Sequence, residues 1–371
     1  MPSVKNKNLQ FLTVLFLLIA NAISVSCADN TINRNYSDKI YLYLSLTTDN
    51  NVEIKWKIDE KKFPGLKTLT LFSSYSDFNK TPLDRIVYPI RQYETKSIKH
   101  RGAILDDNVG DNSKYYYLLE LVTDQGKTYY SKVISIKTVD KKLPELNSPS
   151  LIIDKRYYLL KLIDDGNIIK RYPVSLGRNP IKRKLHQDNS STPEGQYKII
   201  NLQPQATYYR AYDLSYPESI DKFRYHFFQE RDKLEKSNGE NPGIGGEIQI
   251  HGGGPGPVWN WSYGCIIMRN EDLDQLFGIS RINVGTPVII TGWELTLQDI
   301  QSIHRSRSAE EIKTIQKKLK KTGFDPGKPD GVLGPATRYA LARFQYQKQL
   351  PVTGQLDIRT LKKLSNIQLT K

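Results

Sequence analysis

The stretch from Ile248 to Asn270 contains the residues best suited to covalent chemistry. Cys265 follows Gly264, and His251 lies 14 residues before the cysteine. A free thiol has a pKa of ~8.5, so at neutral pH it needs a nearby base or cation to become a thiolate nucleophile. An imidazole can take that proton and later return it to a leaving amine. The pair predicts acyl transfer by an accessible, partly ionised thiol, although the spacing alone fits two buried structural residues equally well.

Cysteine usage supports a chemical role for this thiol. The chain has two cysteines, and the other one, Cys27, ends an N-terminal segment in which Lys5 and Lys7 precede a short apolar run. The run is shorter than the ~20 residues that span a bilayer, so residues 1–28 are typical of a cleaved secretory signal. Lipid attachment to Cys27 and an uncleaved anchor are the alternatives. If the signal is cleaved, or if Cys27 is lipid-linked, Cys265 is the one thiol that the exported chain can still use. Such a thiol is expected to be either buried or chemically active.

The charge of the chain is strongly basic and uneven. The formal net charge is +15, and residues 308–371 contain 13 Lys and Arg against 5 Asp and Glu. Such a surface suits an anionic polymer, which includes a wall polymer, lipid headgroups and nucleic acid, and it also fits a solvated helix face. A nucleic-acid binder is disfavoured because the chain has an export segment and lacks a readout motif.

The N-terminal third predicts short strands. Alternating residues place Val52, Ile54, Trp56 and Ile58 on one face, and a Tyr-rich strand follows near Lys114. About 100 residues of such strands with turn signals indicate a β-sandwich over residues 35–139. The layout resembles a fibronectin type III-like domain, and we interpret Trp56 as part of its core. After a linker with two prolines, strands resume over residues 150–293 and predict a second, mostly-β domain.

The C-terminal segment is helical and internally repeated. Ser308 and Glu311 form a capping box before a helical apolar pattern that ends at Gly323. Asp330-Gly331 leads to Thr337 and Leu341, and 23 residues later Thr353-Gly354 leads to Thr360 and Leu364. The register indicates two copies of one turn-and-helix unit. Residues 308–366 resemble the small three-helix peptidoglycan-binding domain, which implies that this segment holds the protein on the wall.

The residues around the cysteine resemble the motif of the L,D-transpeptidase (YkuD-like) family. The matching strings are Ile248-Gln-Ile-His251-Gly and Ser262-Tyr-Gly-Cys265-Ile, with Ser175-Leu-Gly177 and Thr192-Pro-Glu-Gly195 upstream. The resemblance implies that Cys265 is the nucleophile and His251 its base. It also implies that the Gly252 carbonyl orients the imidazole, and that the amides of Tyr263, Gly264 and Cys265 form the oxyanion hole.

Two positions depart from that motif. Many members have a second histidine where this chain has Tyr263, and an arginine two residues after the cysteine where it has Ile267. Arg269 is a candidate to replace the arginine in substrate binding, because alternate residues of an extended segment share a face. Trp261, with Trp259, is a candidate wall of the substrate site, although ordinary packing explains a tryptophan equally well.

Together these features predict a multidomain chain with a β-sandwich, a mostly-β catalytic domain and a three-helix all-α domain. The expected activity is attack on the L,D bond of a tetrapeptide stem and acyl transfer to an amine, in wall biogenesis and cell shape. Water as acceptor, which gives an L,D-carboxypeptidase or cross-link hydrolase, and a non-catalytic wall binder are the alternatives. We expect no cofactor and no metal, because zinc-peptidase motifs are missing from the sequence. The expected partners are peptidoglycan and, as an acceptor, a wall-attached protein, in the periplasm or cell wall.

Overall fold

The computed structural model describes residues 34–75, 77–78, 87–94, 97–236 and 239–368. The predicted signal segment, with Cys27, lies outside the described residues. The N-terminal strands are β1 (Ile40–Leu46), β2 (Val52–Ile58), β3 (Leu66–Ser74), β4 (Val87–Glu94), β5 (Arg101–Asp106), β6 (Lys114–Thr123), β7 (Thr128–Tyr130) and β8 (Ile134–Lys137). The next are β9 (Ser150–Asp154), β10 (Leu159–Asp164), β11 (Asn167–Pro173), β12 (Gly195–Ala206), β13 (Tyr209–Leu214), β14 (Gln249–His251), β15 (Ile266–Ile267) and β16 (Pro287–Thr291). The helices are α1 (Ser219–Gln229), α2 (Asn270–Phe277), α3 (Leu297–His304), α4 (Ala309–Lys321), α5 (Pro335–Gln347) and α6 (Ile358–Ser365). None of the helices in these described ranges is long and apolar enough to cross a membrane.

The N-terminal strands form two sheets, as the alternating pattern predicts. One has the order β1-β2-β5, and the other has the order β4-β3-β6-β7 with β8 beside β6. In β2 the four predicted inward residues are all buried while their neighbours are more exposed. The indole of Trp56 is 4% exposed and donates to the carbonyl of Lys99 at 2.9 Å, which confirms its core position. The β-sheet prediction is confirmed, and the fibronectin type III-like assignment stays a prediction.

Most of the second β region belongs to one eight-stranded sheet. Its order is β11-β10-β9-β16-β12-β13-β14-β15, so the strands nearest the predicted site lie at one edge. Neighbours are antiparallel except for two parallel pairs, β9 with β16 and β14 with β15. One face of the sheet is apolar and packs with α2 into a core that includes Leu151, Tyr212, Ile250 and Leu273. The described chain separates into two compact units, and this sheet and all six helices belong to the second.

The C-terminal helices show the predicted repeat as a pair of buried glutamines. The Oε1 atom of Gln316 accepts the amide of Gly331, and that of Gln345 accepts the amide of Gly354, both at 2.9 Å. Each Nε2 donates to the threonine of its own unit, Thr337 or Thr360, at 3.0 Å. Both glycines have a positive φ, which side chains with a Cβ rarely adopt. The helical domain is therefore built from two equivalent turn-and-helix units around a core of Leu319, Leu341, Phe344 and Leu364.

The helical domain packs directly against helices of the sheet domain. Phe227 of α1 lies in one apolar cluster with Ala342 and Val352. The guanidinium of Arg359 in α6 pairs with the buried carboxylate of Asp299 in α3 at 2.8 Å. The sequence predicts a wall-binding segment beside a separate catalytic domain, whereas within the second unit the two share an apolar and an ionic interface.

A buried ion pair joins the start of β12 to the turn after β9. The ammonium of Lys155 donates to the carboxylate of Glu194 at 2.9 Å, and both side chains are fully buried. The other two N–H groups donate to the carbonyls of Lys182 and Thr192, at 2.9 and 2.8 Å. All three donors of the ammonium are satisfied, which is the condition for keeping a charge in a protein interior. The pair fixes the segment between β11 and β12, which lies beside the site described below.

We expect Lys155→Met to destabilise the protein by about 3–5 kcal/mol, because it leaves the carboxylate of Glu194 buried without its partner. The measurement is the free energy of urea unfolding of the second unit. Lys161→Met is the matched control, since the Lys161 ammonium lies 4.0 Å from Asp154 and is partly solvated, a geometry worth about 0–1 kcal/mol. Equal losses in the two variants would contradict the structural role of the buried pair.

Candidate active site

The predicted nucleophile and base reach one face of the sheet through the pairing of β14 and β15. In this parallel pair Ile250 lies opposite Ile266, and His251 lies opposite Ile267. Ile250 and Ile266 belong to the hydrophobic core, so their side chains define the inner face of both strands. Because side chains alternate along an extended chain, His251 and Cys265 leave the strands on the other face. The alternation of apolar residues therefore places Cys265 and His251 on the same face of the sheet, on neighbouring strands.

The imidazole of His251 is held in one tautomer. Its Nδ1 lies 2.8 Å from the carbonyl oxygen of Gly252, and the ring is 3% exposed. A carbonyl can only accept, so Nδ1 carries the proton and Nε2 keeps its lone pair. Burial lowers the pKa of His251 below its usual value, and the bond to Gly252 opposes this shift only in part. The ring is therefore a neutral base at neutral pH, oriented by the carbonyl that the family resemblance implies.

Two aromatic side chains enclose the imidazole. Tyr208 stacks on the ring of His251 with centroids 5.3 Å apart, and Trp261 meets it edge-on at 5.8 Å. Tyr208 and Trp261 also contact each other, at 5.7 Å. The structure thus places Trp261 in the wall that the sequence suggests, whereas Trp259 is 37% exposed. Tyr208 was not foreseen, because it lies in the turn between β12 and β13, more than 40 residues from His251.

The thiol of Cys265 is partly exposed. Its Sγ lies 3.6 Å from the carbonyl of Glu247. Burial raises the pKa of Cys265 above its usual value, while a backbone N–H from Gln249 and the charge of Lys184 lower it less strongly. This direction of the shift favours the protonated thiol over the partly ionised thiol that the sequence suggests.

The loop before the nucleophile is closed by Ser262. Its Oγ donates to the carbonyl of Cys265 at 2.7 Å and accepts the amide of Gly264 at 3.1 Å. Gly264 has a φ of +141°, and a Cβ there would lie 2.7 Å from the carbonyl oxygen of Ser191, so this tight position requires glycine. Of the three amides that the family resemblance implies for the oxyanion, that of Gly264 is engaged within the loop. The amides of Tyr263 and Cys265 remain for that role.

Arg269 is used for structure at the start of α2. Its guanidinium pairs with the buried carboxylate of Asp272, at 2.8 Å from Nη2, and donates to the carbonyl of Asn112 at 2.9 Å. A position for Arg269 beside the substrate requires the strand to continue past the cysteine loop, but β15 ends at Ile267. The carboxylate of Asp272 neutralises the charge of Arg269 locally.

A different arginine lies beside the nucleophile loop. The guanidinium of Arg178 lies over the ring of Tyr263, 4.5 Å from its centroid, and its Nε donates to the carbonyl of Trp261 at 3.2 Å. Its backbone amide donates to the carbonyl of Ser262 at 2.9 Å. Both side chains reach solvent, and Tyr263 is 65% exposed. Arg178 was not foreseen because only the tertiary fold brings the segment after β11 to this loop.

Over the part of the chain that the structure describes, no group of three or more His, Cys, Asp or Glu side chains is placed to hold a metal ion. What the site does offer is one thiol, one base of defined tautomer and backbone donors near the thiol, which is the set that acyl transfer needs.

Comparison with known families identifies both C-terminal domains. Residues 148–290 match the YkuD family, described as "L,D-transpeptidase catalytic domain", and residues 308–364 match the family described as "Putative peptidoglycan binding domain". The chain thus contains a YkuD-type L,D-transpeptidase catalytic domain followed by a peptidoglycan-binding domain. The family resemblance stated from the sequence is confirmed for these two domains.

Individual relatives cover only parts of the chain. A spore cortex-lytic enzyme of Bacillus cereus is 43% identical over 60 residues, which are 16% of this chain and 23% of that protein. The chain thus matches less than a quarter of this relative's length. An L,D-transpeptidase structure from Xylanimonas cellulosilytica is 15% identical, covering 41% of this chain and 63% of its own, with a TM-score of 0.27. L,D-transpeptidase 1 of Mycobacterium tuberculosis is 10% identical, covering 51% and 77%, with a TM-score of 0.24.

The acid limb of kcat/KM should have its midpoint below pH 6.5, because the reaction needs neutral His251 and burial lowers its pKa. Activity is lost as the pH falls through that midpoint, since the protonated ring cannot accept the thiol proton. Tyr208→Ala removes a stacked ring from the imidazole, so the midpoint should move up towards 6.5. Release of the terminal D-residue from a soluble stem peptide is the measurement. A wild-type midpoint at or above 6.5 would show that the base is not a buried imidazole.

Proposed function

We propose that the protein is a cysteine L,D-transpeptidase of peptidoglycan. The supporting observation is the register of β14 and β15, which turns Cys265 and an oriented, neutral His251 to one face of the sheet. The matched peptidoglycan-binding domain supports peptidoglycan as the substrate. Because that polymer lies outside the cytoplasmic membrane, the function requires export, which residues 1–28 predict from their sequence. The periplasm or cell wall is thus the proposed location.

Acylation proceeds through a tetrahedral intermediate. As the Sγ–C bond forms at the carbonyl of the L,D bond, Nε2 of His251 takes the thiol proton. The carbonyl oxygen becomes an oxyanion, and the amides of Tyr263 and Cys265 donate to it. Loss of one hydrogen-bond donor to an oxyanion can lower kcat by a factor of ~10²–10³. When the intermediate collapses, the C–N bond breaks and His251 returns the proton to the amine of the departing D-residue.

Deacylation repeats these steps with a new amine. The acceptor amine attacks the thioester and gives a proton to His251, and the thiol leaves with that proton. Water competes with the amine unless the acceptor is bound close and in line, and such positioning contributes ~7–11 kcal/mol. The aromatic wall of Tyr208 and Trp261 beside the imidazole supports exclusion of water from this step. A stem amine or a wall-attached protein is the proposed acceptor.

Arg178 is the proposed recognition residue for an anionic group of the donor stem. Its guanidinium remains partly solvated beside Tyr263 and the nucleophile loop, and the Nη1 atom lies 3.3 Å from the Tyr263 hydroxyl. A guanidinium can bind a carboxylate through two parallel hydrogen bonds. This assignment replaces the role suggested for Arg269 from the sequence.

Purified protein incubated with disaccharide-tetrapeptide should give a cross-linked dimer, and an added D-amino acid should give an exchanged stem. Cys265→Ala should abolish both products, and His251→Ala should lower them by about 10²-fold or more. His226→Ala is the matched control, because it removes an exposed histidine of α1 and should leave both products unchanged. Mass spectrometry of the products is the measurement.

Other products would identify the alternative activities. Tripeptide without dimer or exchange, at every donor concentration, would make the protein an L,D-carboxypeptidase. Binding to sacculi without any product would leave only the wall-binding function.

A further inference from the structure

Lys184 is a buried cation next to the nucleophile loop. It lies in the segment between β11 and β12, and the residue is 4% exposed. Its Nζ donates to the carbonyl of Tyr263 at 3.3 Å and to the carbonyl of Gln187 at 3.4 Å. An ammonium with so little contact with water keeps a strong electrostatic effect on its surroundings, because the local dielectric is low.

The contacts around Lys184 fix the peptide that leads to the nucleophile. The carbonyl of Tyr263 belongs to the peptide unit whose N–H is that of Gly264, and this N–H donates to Ser262 Oγ. The two ends of one peptide unit are therefore held by Lys184 and Ser262. The Nζ atom of Lys184 lies 3.5 Å from the position that a Cβ on Gly264 would occupy. The ammonium is therefore next to the residue that precedes Cys265. Rotation of this peptide would move the amide of Cys265, which the proposed mechanism aims at the oxyanion.

Among the described residues, the charge of Lys184 favours the thiolate of Cys265, whereas the charges of Glu247 and Asp213 disfavour it. On the same face of the sheet lies His251, which is neutral. Burial lowers the pKa of Lys184, whereas the charges of Cys265 and Asp188 act in the opposite direction and favour its charged form. At the second position after the cysteine, Ile267 supplies no charge.

We propose that Lys184 is the electrostatic positioning residue of the site: it holds the Tyr263–Gly264 peptide and stabilises negative charge on Cys265 and on the oxyanion. The inference rests on the proposed function, in which Cys265 is the nucleophile. When the thiol proton moves to His251, negative charge develops on Sγ while Lys184 keeps all its protons. Its effect is therefore larger in the transition state than in the resting pair, which is the requirement for catalysis.

The test is alkylation of Cys265 by iodoacetamide across pH 6–10, followed by intact-protein mass spectrometry. Cys27→Ser in the full chain makes Cys265 the only thiol. Lys184→Met should move the midpoint of alkylation to higher pH and slow the reaction at pH 7.5 about tenfold, because the thiolate loses its cation. Lys184→Arg should restore most of the rate. Lys182→Met is the matched control, since its ammonium is exposed and pairs with Glu235, and it should leave the midpoint unchanged.

A second variant separates charge from hydrogen bonding. Lys184→Gln keeps a donor for the Tyr263 carbonyl without a charge, so it should shift the midpoint as Lys184→Met does. It also provides the test if the methionine variant fails to fold. A midpoint that is the same in wild type and Lys184→Gln would overturn the proposal.

Alkylation does not depend on turnover, so the two hypotheses fail separately. A shifted midpoint in a protein that makes no wall product would support the role of Lys184 and refute the transpeptidase function. Normal cross-linking by Lys184→Gln, with an unshifted midpoint, would refute the role of Lys184 and leave the transpeptidase function standing.

Discussion

The ion pair between Lys155 and Glu194 is the interaction on which the geometry of the site depends. Its ammonium joins the turn after β9 to two carbonyls of the segment between β11 and β12. The second oxygen of Glu194 accepts the amides of Glu294 and Leu295, at 3.0 and 2.7 Å, in the segment before α3. A buried ion pair often contributes little net stability compared with apolar residues of the same volume. Its main effect here is on position, because it holds three separate segments in one arrangement: the turn after β9, the segment between β11 and β12, and the segment before α3.

That arrangement reaches the chemistry through the segment it fixes. The same segment carries Arg178, which contacts Tyr263 and Trp261, and Lys184, which holds the Tyr263 carbonyl. The nucleophile loop is therefore supported from outside as well as by its own serine. On the other side, the register of β14 and β15 is set by Ile250 and Ile266 in the core. The position of Cys265 thus depends on two independent interactions: the Lys155–Glu194 ion pair, and the core packing of Ile250 and Ile266.

The wall-binding domain belongs to the same compact unit as the catalytic domain. The ion pair of Arg359 with Asp299 lies on α3, directly after the segment bound by Glu194. Phe227 of α1 adds an apolar contact with residues 342 and 352 of the helical domain. The two matched domains are thus in direct contact within this unit, through one apolar cluster and one ion pair.

The sequence predicted the parts of the site that depend on local patterns. The short motif around Cys265 indicated the nucleophile loop, and Gly264 within that motif has a positive φ in the structure. The role suggested for Arg269 depended on where β15 ends, and in the structure its guanidinium pairs with Asp272, three residues later.

The contributions of distant segments could not be predicted in this way. Tyr208, Arg178 and Lys184 reach the site only through tertiary structure, and no short-range period marks them. The pKa of the thiol also depends on burial in the folded chain, which raises it and which the motif alone does not show. A single sequence does not show which segments, far apart along the chain, come into contact in the fold.

The most direct test of the account is to trap the acyl-enzyme. The protein is mixed with disaccharide-tetrapeptide without an acceptor, quenched in acid within seconds, digested and mapped by mass spectrometry. The account predicts a thioester on the peptide containing Cys265, with the mass of the stem minus its terminal D-residue, and a loss of this adduct when an amine acceptor is added. Formation of product without any adduct on Cys265, or with an adduct on another residue, would contradict it.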